Sequence, residues 1–172
     1  DLEPFSARPS QLKTFVAASI KCDFDRSVQI ARDGLLINPK NATLLNNLAY
    51  SEAARGNPHA ALAALTRIHP EGLEPSLEVA ILATAGLIEI RSGNVDKGRQ
   101  LYRDAAFRAA NYGLFRSQCV AIANLAKEEL RLRSDNGEAL AKEFDGCLEE
   151  HQLSADPWMI VTRAQIETVA TE

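Results

Sequence analysis

The stretch KCDFDRSVQIARDGLLINPK, Lys21 to Lys40, has two echoes further along the chain. They are GNPHAALAALTRIHP, Gly56 to Pro70, and GNVDKGRQLYRDAAF, Gly93 to Phe107. Aligning Cys22, Gly56 and Gly93 brings other positions into step. Five residues on stand Ser27, Ala61 and Gly98, all small; four further on stand Ala31, Leu65 and Tyr102; three more bring Gly34, Ile68 and Ala105. Eight residues before each turn stand Thr14, Leu48 and Ala85, followed by Phe15, Ala49 and Gly86. Small residues at fixed offsets let two helices approach closely, and large ones fill the space between helix pairs. A period of 34 to 37 residues built of helix–turn–helix units is a solenoid signature.

The rest of the chain agrees with a helical array. Strand signals are missing: no run of alternating β-branched residues and no Asn-Gly hairpin between apolar runs. Apolar residues recur at steps of three and four, as in Val28, Ala31 and Leu35. Asn57-Pro58 and Asp156-Pro157 read as an N-cap followed by proline at the first helical position, and Ser76 and Asn94 as further caps. Pro39, Pro70 and Gly72 fall just past helix ends. Nine helices are expected, over 10–21, 24–37, 42–55, 58–68, 76–91, 95–110, 114–132, 137–150 and 157–170. Their short links make neighbours pack antiparallel.

With 172 residues, 46% hydrophobic and 24% charged, the chain suits one domain that needs no staples. The net charge of -4 argues against nucleic acid as a partner. No apolar run approaches the roughly 18 residues that a membrane span needs, so no membrane insertion is expected. Cys22, Cys119 and Cys147 are odd in number and far apart. They are expected to be free, mostly buried thiols in a reducing compartment, with a cytoplasmic location. The chain starts on Asp1 and shows no signal peptide, so a domain of a longer protein is expected.

Two stretches, ATLLNNLAYSEAARGNPHAA (Ala42 to Ala61) and SVQIARDGLLINP (Ser27 to Pro39), resemble the tetratricopeptide repeat family. The first has the step Asn47, Leu48, Ala49, then Gly56 at the turn and small Ala61. The second has Ser27, Val28, Gly34, Leu35, Ile37 and the closing Pro39. The family's large aromatic of the first helix is missing at Gln11, Leu45 and Leu82. The resemblance implies an all-α, right-handed superhelical solenoid of antiparallel helical hairpins. Units would cover 8–41, 42–75 and 76–112, with a divergent fourth at 113–150 and a capping helix at 157–170. It implies that the first helices line a concave groove that holds a peptide or a partner helix.

Carrying the family's groove positions over gives Leu12, Val16 and Ser19 from unit one and Thr43, Asn46, Asn47, Tyr50 and Ala53 from unit two. Unit three supplies Ala80, Ala83, Leu87 and Ile90. The groove is mainly apolar, which suits an apolar peptide, an amphipathic helix or a flanking segment of the same protein. The clamp that grips a carboxylate in chaperone-binding members would fall at Leu12, Val16, Asn47, Ala80 and Thr84; only Asn47 matches, and no Lys or Arg is present. The expected function is a protein–protein interaction module, with self-association through the solenoid ends or the last helix as the alternative.

No enzyme signature, cofactor motif or metal set stands out. His59, His69 and His151 share no close same-face spacing with other ligand types and are expected to be solvated. Cys119, in CVAIANLA, is expected to be a small core residue. GNVDKG (Gly93 to Gly98) lacks the Gly-Lys-Ser/Thr ending of a phosphate loop. Glu128-Glu129 and Glu149-Glu150 are expected on solvated faces. Charge is uneven: residues 91–116 hold six bases against two acids, and residues 128–156 nine acids against three bases. That pattern suits two solvated faces, an oppositely charged partner, or head-to-tail stacking of two copies.

Overall fold

The computed structural model describes residues 7–171. Among them there is no strand. Nine α-helices follow one another: α1 (Arg8–Phe15), α2 (Phe24–Ile37), α3 (Ala42–Ala54), α4 (Pro58–Leu65), α5 (Pro75–Arg91), α6 (Val95–Asn111), α7 (Phe115–Arg131), α8 (Asn136–Glu150) and α9 (Pro157–Thr171). A π-helical turn, Val16–Ile20, extends α1. No helix of the described residues is long and apolar enough to cross a membrane.

The starts are set locally. Asp23 and Asn41 accept the N–H groups of Arg26 and Leu44 at 3.0 and 2.9 Å, and Asp156 that of Trp158 at 2.9 Å. Ser76 is not a cap: Glu74 precedes the first residue, Pro75, so Ser76 lies inside α5. Asn57 and Asn94 precede their helices, yet their amides turn back to Glu52 and Glu89, at 3.2 and 2.8 Å. The ends are equally regular. Gly56 and Gly93 take φ values of 89° and 90°, and the N–H of the next residue reaches back to Glu52 or Glu89 at 2.8 and 2.9 Å, closing a Schellman turn. Cys22 and Arg133 do the same work with φ of 52° and 53°, in the left-handed region that side chains disfavour.

Consecutive helices from α1 to α8 pack on each other, and α1, α3, α5, α7 and α9 also pack each on the next of their own set. α5 and α6 approach closely at two glycines. A Cβ on Gly98 would meet Gly86 O at 2.7 Å and Ile90 Cγ1 at 2.4 Å, so only glycine fits. Ser27 fills the matching place in α2 and donates to Thr14 O at 3.2 Å.

The π turn changes the register of α1. Asp23 N reaches Ala17 O, six residues back, where Asn57 N and Asn94 N reach only five. One extra residue rotates everything upstream by roughly 100°. Thr14, fully buried, therefore takes the place of Ala49 and Gly86 that the alignment gave to Phe15.

Three expectations about side chains fail. Cys119 and Cys147 are not free thiols: they form a disulfide between α7 and α8, and Cys22, the remaining cysteine, is exposed. Glu128 and Glu129 are buried, not solvated, because arginines reach them. His151 is half-buried and stacks on the Phe115 ring with centroids 4.0 Å apart. The uneven charge has its partner inside the chain. Arg91 pairs with Glu128, Arg99 with Glu129, Arg103 with Glu143 and Arg116 with Asp156, so the basic stretch faces the acidic one.

Candidate binding site

The helices α1, α3, α5, α7 and α9 surround a cavity of about 180 Å³. Its walls come from Phe15 and Ser19, Asn46 and Tyr50, Val79, Ala80 and Ala83, Val120 and Asn124, and Trp158 and Gln165. A second cavity of about 270 Å³ shares Tyr50, Tyr102, Asn124, Lys127 and Gln165 with it and continues to Leu87, Glu128 and Arg131. The ring closes because α9 returns to the start of the chain. The Phe15 and Trp158 rings meet edge to face at 4.8 Å, and Gln165 Nε2 donates to Ser19 O at 2.9 Å.

The expected groove residues divide. Ser19, Asn46, Asn47, Tyr50, Ala80 and Ala83 line the first cavity, and Tyr50 and Leu87 the second. Asn47 also donates to Thr14 Oγ1 at 2.7 Å, tying α3 to α1. Leu12 and Val16 lie elsewhere, in a depression with Lys21, Asp23 and Ile30 on the side of α1 and α2; the π turn carried them there and brought Phe15 inward. Ala53 and Ile90 are buried core residues. Thr43 is half-buried and lines no cavity described here.

Lys127, which no sequence motif marks, lines both cavities. Tyr50 and Leu87 stand six residues before the turn residues Gly56 and Gly93, and Lys127 stands six before Arg133. No glycine marks Arg133 as a turn, and a turn one residue later would give that position to Glu128.

Lys127 is 8% exposed, and among the described residues Gln165 Oε1, at 3.2 Å, is its hydrogen-bond partner. Burial is the main cause that pulls its ammonium down from 10.5 to about 8; Arg131 adds to this, while Cys22 and Glu128 oppose it. The carboxylate of Glu128 is engaged by both Arg91 and Arg131. Burial also pushes the Tyr50 phenol up to about 12, so the hydroxyl stays a neutral donor.

A lysine held below its unfolded value costs stability while it is charged. The penalty is complete below pH 8 and fades as pH rises from about 8 to the unfolded value of 10.5. Lys127→Met is therefore expected to stabilise the fold at pH 7 by on the order of 2 kcal/mol. Urea unfolding at pH 7 and pH 10 checks this; a gap that does not narrow at the higher pH contradicts a charge penalty at Lys127.

Among the described residues no group of three or more His, Cys, Asp or Glu is placed to hold a metal. Comparison with known proteins supplies no relative: no family model, curated protein or solved structure matches the chain.

Proposed function

We propose that the chain is a helical-repeat interaction module of tetratricopeptide type. In this reading the helix pairs form a right-handed superhelix with the first helices inside, and a protein partner binds to that inner surface. The observation that carries it is the equivalence of Tyr50, Leu87 and Lys127: three successive first helices present the same offset to one continuous space. The resemblance of Ala42 to Ala61 and Ser27 to Pro39 to the repeat family supports the same reading.

The size of the space narrows the ligand. A helix with its side chains is about 10–12 Å across and exceeds a cavity of about 180 Å³. An extended segment that seats one large apolar side chain between Phe15, Val79, Ala83 and Trp158 fits. The contacts of α9 with Phe15 and Ser19 keep that helix within its own chain, which weighs against α9 as an oligomer-forming end.

Selection of a displayed peptide library on the immobilised protein tests the proposal. Enriched sequences are expected to share one large apolar anchor. They should bind Ala83→Phe, which fills the cavity, at least tenfold more weakly, and Leu36→Glu, on an exposed outer position, unchanged. Absence of enrichment, or equal binding to folded Ala83→Phe, rejects it.

A further inference from the structure

The polar end of the first cavity is chemically lopsided. No carboxylate lines it, and Lys127 is its one ionisable group of lysine, arginine, histidine or acid type among the described residues. An ammonium has three donors, and here a single acceptor, Gln165 Oε1, answers them. Glu128, the acid whose charge acts on Lys127, is already bonded to both Arg91 and Arg131. Arg131 adds to the burial that disfavours the Lys127 charge, while Cys22 and Glu128 oppose it.

A second, independent sign comes from the opposite wall. Asn46 is 6% exposed, lines the same cavity, and leaves Oδ1 without a partner. A buried orphan of this kind costs about 1–3 kcal/mol, and an amide can turn to offer either its oxygen or its N–H. Phe15, Val79, Val120 and Trp158 give the rest of the cavity apolar and aromatic surface, interrupted by polar side chains such as Ser76, Ser117 and Asn124. A dry apolar cavity of roughly 150 Å³ is enough for a benzene-sized body.

We infer that this cavity is a site for a free small-molecule carboxylate with a compact apolar or aromatic body, the carboxylate paired with Lys127 and a polar edge meeting Asn46. The inference goes beyond the partner-binding reading, and it uses that reading only in taking the ring interior as the binding surface. The apolar body enters among Phe15, Val79 and Trp158, and the carboxylate supplies the acceptors that the ammonium lacks.

Phenylacetate and phenylacetamide differ in charge and little in shape, so their binding to the whole protein, followed by ligand-observed NMR and calorimetry at pH 7, gives the first test. Phenylacetate is expected to bind at least tenfold more tightly than the amide. It should also raise the Lys127 ammonium pKa, read from the lysine ¹³Cε shift. Lys127→Gln should abolish the preference for the acid, Asn46→Leu should weaken it, and Arg103→Gln, an outer position paired with Glu143, should leave it unchanged. Should Lys127→Gln fail to fold, the acid-against-amide comparison on the native chain still decides. Equal binding of acid and amide, or undiminished acid binding to folded Lys127→Gln, overturns the inference. A peptide with a free carboxyl-terminal phenylalanine that binds more tightly than phenylacetate overturns the assignment to a small molecule, while leaving the partner-binding reading in place. Acid binding with no peptide selected would do the reverse.

Discussion

Replacing Arg99 with methionine is expected to destabilise the fold by about 3–5 kcal/mol, the cost of stranding a buried charge. Arg99 in α6 makes two parallel bonds to Glu129 in α7, at 2.6 and 2.8 Å. The two partners are not equivalent. The Glu129 side chain is 1% exposed and the Arg99 side chain 35% exposed. Removing the arginine leaves a buried carboxylate with only Ser134 and Asn136 to stabilise its charge. Removing the charge of the carboxylate leaves a guanidinium that still reaches solvent and Asp96. Glu129→Gln is therefore expected to cost only about 1–2 kcal/mol. The guanidinium of Arg99 is the main cause that holds the Glu129 carboxyl below its ordinary value, which burial opposes. A group with a depressed folded value contributes fully above the unfolded carboxylate value and loses that contribution as pH falls through the folded one. Urea unfolding of native protein and Arg99→Met should thus show a large gap at pH 7 that narrows in acid. A gap under 1 kcal/mol, or one constant down to pH 3, would sink this account.

Reduction of the Cys119–Cys147 bridge is expected to cost a similar amount. The bridge spans 28 residues and joins α7 to α8. A loop of that length removes about 3.5 kcal/mol of chain entropy from the unfolded state. For a chain of this size that is a fall in Tm of about 10 °C. Both cysteines are buried, at 0% and 6% exposure, so reductant acts only as the helices open. A thermal melt with and without reductant checks the magnitude. The double variant Cys119→Ala, Cys147→Ala should melt lower and ignore reductant, while Cys22→Ser should behave as the native chain. Reductant sensitivity in the double variant would contradict the pairing. The bridge also removes the basis for placing the chain in a reducing compartment, since disulfides persist where the surroundings are oxidising.

The unoccupied side of the charge pattern had a comparable explanation. Six bases in 91–116 and nine acids in 128–156 look like two surfaces in search of partners. Four of those bases meet acids of the later stretch in the same molecule, 30 to 40 residues away. An outside partner of opposite charge is not needed to account for them.

What the chain determined on its own is local. The helices expected over 24–37, 42–55, 95–110 and 157–170 follow to within a residue from apolar steps of three and four, and the last also from the cap at Asp156. The left-handed turns at Cys22, Gly56 and Gly93 follow from their shared offset. Each of these signals acts within one or two helical turns, so it can be read without knowing the fold. Tertiary structure decided the rest. The π turn after Phe15 swapped Val16 for Phe15 on the inner face, and no residue type announces such a turn. Gln165 reaches Ser19 across 146 residues, and the disulfide, the burial of Glu128 and Glu129, and the place of Lys127 likewise depend on how helices far apart in the chain are brought together. Small shifts in packing at each helix contact decide which distant side chains share one cavity.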